Sequence, residues 1–102
     1  MEHVCDKFLE VINNGITRSI HNRNIHILVF MLKDLYVMNH SCFQYVMENL
    51  YVQTAFISAY KVFMNNRNMS FDISMENIAT MIIQRRLKEL KDGEFAGFGR
   101  RK

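Results

Sequence analysis

A chain of 102 residues allows one domain with one core, and 49% hydrophobic against 23% charged residues places it with globular rather than disordered proteins. Two cysteines are too few for a disulfide scaffold, and the longest apolar run, "IHILVFML", is far short of the ~20 residues that cross a bilayer. The net charge of +3 is unevenly placed: from Arg85 onward seven basic residues meet three acids, while residues 1–84 hold six basic and seven acidic residues.

Proline is absent, which helical folds tolerate best because strand-rich ones use it in turns and at edges. The first predicted helix covers about residues 2–13, with Val4, Phe8, Val11 and Ile12 at helical spacing, and stops at "NNG", where Gly15 suits a left-handed terminator. "ITRSIHNRN" reads as a polar connection. The second helix runs from about Ile25 to Met38 with Asn24 or Asn22 as cap. Its apolar run alone would also suit a buried strand, but the pattern continues through "KDLYVM", too long for a typical strand.

Ser41 and Gln44 have the form of a capping box, opening a third helix to about Met64. "NMSFDIS" reads as a loop or short extended piece. Ser74 is placed to cap a fourth helix, with Glu76 in its first turn and Gly93 after its last.

A surface helix ordinarily carries one apolar stripe. The third helix carries two: Phe43, Val46, Met47, Leu50, Ile57 and Met64 on one side, and Tyr45, Val52, Phe56, Ala59 and Phe63 nearly opposite. The second helix is apolar all round apart from His26, Lys33 and Asp34. Either the second helix is the buried centre and the third leans on neighbours on both sides, or, as is expected here, a stripe of the third helix or an edge of the second meets another chain. Eight methionines, adaptable at binding surfaces and equally suited to filling a core, fit either place.

Candidate chemistry is sparse. The pairs His3/Cys5 and His40/Cys42 contain zinc-ligand types but not the usual C-x₂₋₄-C spacing, so no metal is expected and both thiols are expected to be reduced in an intracellular protein. Cys42 at a helix start has a favoured thiolate but no identifiable base, and no catalytic or cofactor signature accompanies it. The glycines at 93, 97 and 99 follow a helix instead of opening one, so they form no phosphate loop.

These features predict an all-α bundle of about four helices over residues 1–92 and a flexible basic tail over 93–102. The expected role is non-enzymatic: a protein–protein interaction module, homodimer or subunit of a larger assembly, that binds through Tyr45, Val52, Phe56, Ala59 and Phe63. The alternative is a nucleic-acid-associated regulator contacting phosphates without sequence preference through Arg85, Lys88, Lys91, Arg100, Arg101 and Lys102. No cofactor and no membrane contact are expected.

Overall fold

A computed structural model of the chain describes residues 3–50, 58, 61, 62, 65 and 68–101; within the last helix, side chains are described as far as Asp92. The fold is a small all-α bundle. Its helices are α1 (Asp6–Asn22), α2 (His26–Met38), α3 (His40–Leu50) and α4 (Phe71–Arg101). Among the described residues there is no strand, so the "IHILVFML" run is helical.

α2 packs against α1, α3 and α4 and is the centre of the bundle. Its Leu28, Val29, Leu32 and Leu35 meet Ile12 and Ile16 of α1, Phe43, Val46 and Met47 of α3, and Met75, Ile78 and Ile82 of α4 in one buried cluster. Each large aliphatic side chain buried there contributes about 1.5–3 kcal/mol relative to exposure. Tyr36 knots three helices together, edge-on to Phe43 at 5.2 Å and tilted on Phe71 at 4.9 Å.

Helix boundaries correct several expectations. α1 does not stop at Gly15 but continues through it to Asn22. Gly15 is buried where α2 crosses, and a Cβ there would meet the Met31 thioether, with Met31 Cε at 2.8 Å. Close approach, not a left-handed turn, explains the glycine. The turn comes at Arg23, whose φ of 53° and ψ of 41° are left-handed. There the Arg23 amide donates to Ile20 O at 3.2 Å and the Asn24 amide to Ser19 O at 3.0 Å. These are the two hydrogen bonds of a Schellman cap, with arginine where glycine is usual.

At the start of α2, Asn24 Oδ1 accepts from the His26 amide at 3.0 Å, as its predicted capping role requires. A second amide finds a tertiary partner: buried Ser19 of α1 accepts from Leu28 N–H through its Oγ at 3.0 Å. α3 is capped by Asn39, whose Oδ1 accepts from the Cys42 amide at 3.1 Å, not by the Ser41–Gln44 box. Asn39 already has the extended backbone that a cap needs, φ −155° and ψ 89°, while Ser41 lies inside the helix. α4 likewise opens a turn earlier than expected, with Ser70 Oγ accepting from the Ile73 amide at 3.2 Å. Ser74 is buried inside it, and the helical backbone passes Gly93 and reaches Arg101.

The reading of two free thiols is also corrected. Cys5, at the start of α1, and Cys42, in the first turn of α3, form a disulfide across Cα atoms 5.1 Å apart. Sequence spacing gives no sign of this, because it is the side-by-side placement of two helix starts that brings the sulfurs together. Disulfides persist in oxidising compartments, so the bridge removes the basis for expecting an intracellular location. No helix among the described residues is long and apolar enough to cross a membrane.

Candidate functional site

The His-x-Cys pairs do approach each other, but their sulfurs are joined. His3 Nδ1 accepts from the Cys5 amide at 3.1 Å, and its ring stacks on Tyr45 at 3.9 Å. His40 lies edge-on to Tyr36 at 4.7 Å. Among the described residues no group of three His, Cys, Asp or Glu side chains comes together to hold a metal.

Of the predicted partner-binding stripe, only Tyr45 lies within the described residues; Val52, Phe56, Ala59 and Phe63 lie outside them. Tyr45 is half-buried and turned towards α1, where its hydroxyl donates to an Asp6 carboxylate oxygen. That hydrogen bond, reinforced by burial and the carboxylate charge, holds the phenol above its ordinary pKa of 10.0. The opposite stripe, Phe43, Val46 and Met47, is core.

The predicted basic set divides. Arg85 is half-buried, Lys88 and Lys91 are exposed, Arg100 and Arg101 are described as backbone only, and Lys102 lies outside the described residues. Arg86, beside them, donates from Nη2 to Asn13 Oδ1 at 2.6 Å, tying α4 to α1, and its Nε lies 3.9 Å from Glu89.

Two apolar grooves, neither assembled by sequence reading, open on the surface. The first, about 210 Å³, lies between α1 and α2, with Ile12 and Leu35 among the residues lining it beside Phe8, Val11, Met31 and Met38. Asp34 is its one charged lining residue. Around it the edge of α2 remains open: Phe30 is 61% exposed, Val37 77% and Met38 73%. The all-round apolarity of α2 was the signal for this edge. A central helix with three neighbours still has a fourth side.

The second groove, about 590 Å³, runs between the end of α1 and α4 and is lined by Ile20, Ile25, Ile83 and Leu87 with Arg23 and Gln84. A smaller one of about 270 Å³ adjoins it across Ile20, lined by Thr17, His21, Arg86 and Leu90. Among the described side chains no carboxylate lines either part. Nothing in the sequence announces this groove, since Arg23 and Leu87 are 64 positions apart. No protein-family model, no curated protein and no solved structure matches this chain.

Proposed function

We propose that this chain works by binding protein through its apolar helix faces, first of all a second copy of itself. The observation that supports this is the open edge of α2. Phe30 and Val37, two turns apart on one helix, are mostly exposed, and Val37 adjoins the groove residue Met38. Exposed apolar side chains beside an apolar groove, here on either side of Lys33 and Asp34, mark an interaction site on a small domain. Self-pairing is the simplest use of it, because a two-fold contact needs only one patch.

Sedimentation equilibrium across a range of concentrations tests the reading. The intact protein is expected to exceed monomer mass in the micromolar range, and Val37→Asp or Phe30→Asp to lower that mass while circular dichroism stays unchanged. A strict monomer at high micromolar concentration would overturn it.

The alternative, phosphate contact by the basic end of α4, draws support from the exposure of Lys88 and Lys91. It is weakened by the exposed Leu87 and Leu90 interleaved with the lysines. Phosphate contact makes no use of those leucines.

A further inference from the structure

We infer that the groove between α1 and α4 is a docking site for an acidic amphipathic helix of another protein. It is a different surface from the α2 edge, and the two stand or fall separately.

Shape is the first support. Ile83, Leu87 and Leu90 follow each other at helical spacing along one side of α4, and Ile20 faces them from α1 as the residue shared by both parts of the groove. Leu87 is 46% exposed and Leu90 56%. A helix whose own apolar residues repeat at i, i+3, i+4 and i+7 fills such a channel.

Charge identifies the occupant. Residues 17–26 contain Arg18 and Arg23 and no acid; residues 80–94 contain Arg85, Arg86, Lys88 and Lys91 against Glu89, Asp92 and Glu94. Glu89 is the acid near Arg86, at a separation and exposure where an ion pair is weak. His21 lines the groove beside Arg86. A channel whose described lining holds Arg23 and Arg86 and no carboxylate suits apolar anchors flanked by Asp and Glu, and the field steers such a partner towards it.

Arg23 is the third support. A left-handed backbone is costlier for an L-residue than for glycine. The Schellman cap would form more easily with glycine, yet an arginine holds the position and lines the groove. Backbone strain of this kind, at a residue that lines an open groove, points to use of its side chain.

The probe is a fluorescein-labelled, helix-forming peptide of about 18 residues, long enough to form several turns. One face carries leucines and the rest glutamates. A lysine-for-glutamate version and a labelled oligothymidine serve as comparisons, with the oxidised full chain as receptor and fluorescence anisotropy as readout. The acidic peptide is expected to bind with a Kd on the order of 10 μM, at least about tenfold more tightly than its lysine version. Leu87→Glu, or Leu90→Glu should the first variant lose helicity, is expected to weaken binding about tenfold. Arg23→Gly, which favours the cap, is expected to weaken it about threefold and flatten its salt dependence. Val37→Asp, on the α2 edge, should leave it unchanged. Equal binding of the two peptides, or indifference to both leucine variants, overturns the proposal. So does oligothymidine binding without peptide binding, which would assign the cations to nucleic acid. None of these outcomes alters the sedimentation result, so failure here is distinguishable from failure of self-association.

Discussion

The start of α1 and the second half of α4 are made of similar material, aromatic and aliphatic residues interleaved with charges, yet one is closed onto α3 by specific bonds, even with Val4 78% exposed, and the other is open. At the start of α1, Cys5 is bonded to Cys42, His3 stacks on Tyr45, and Tyr45 donates to Asp6. Along α4, the buried residues run from Ser74 to Ile82 and go no further among the described side chains. α4 has 31 residues, about 46 Å, whereas α1 and α2 have 17 and 13, about 26 and 20 Å. Around Leu87 and Leu90 α1 lies across a groove from α4, so the same residue types are covered only in part. Burial here follows from which helix lies alongside, not from local hydrophobicity.

Reducing the disulfide attacks the closed region and should have the largest effect. The bridge closes a loop of sequence separation 37, for which chain entropy gives about 4 kcal/mol. Thermal melts with and without reductant, or of Cys5→Ser with Cys42→Ser, should therefore differ by roughly 15–25 °C. Coincident melts would show that the closed region is held by packing alone, and the contrast would then rest on side-chain contacts.

Ser19→Ala acts between the two regions. It removes the oxygen that accepts from the buried Leu28 amide and should cost about 1–3 kcal/mol in a denaturant titration, with an unchanged slope. A loss below a few tenths would mean that water reaches that amide, and the junction of α1 and α2 would then belong with the open part of the molecule.

Leu90→Asp tests the open region and should have the smallest effect on stability. Little of the native contact network is lost when a side chain already 56% exposed is replaced, so the change should stay within about 0.5 kcal/mol. A loss of 2 kcal/mol would show that this part of α4 is core. Paired with the peptide titration, the same variant separates binding from stability: binding should fall while the melt stays in place.

Some of this was legible in the residues. Helical spacing and the lack of proline determined the fold class, and the apolar run of α2, too long for a strand, determined its helix. The Asn24 cap was also visible, because it acts on an amide two residues away. Other caps were misplaced, by two residues in α3 and by a turn in α4, since Asn39 and Ser70 compete with Ser41 and Ser74 and local chemistry ranks them about equally.

Tertiary structure decided the rest. Gly15 looks like a helix end in sequence and is a helix crossing in space, because only the approach of Met31 distinguishes the two. Cys5 and Cys42 look like isolated thiols until α1 and α3 begin side by side. Each of the two grooves joins residues far apart in the chain. Periodicity reports which residues share a helix face. Whether a neighbour covers that face depends on the placement of the other helices, which periodicity does not encode.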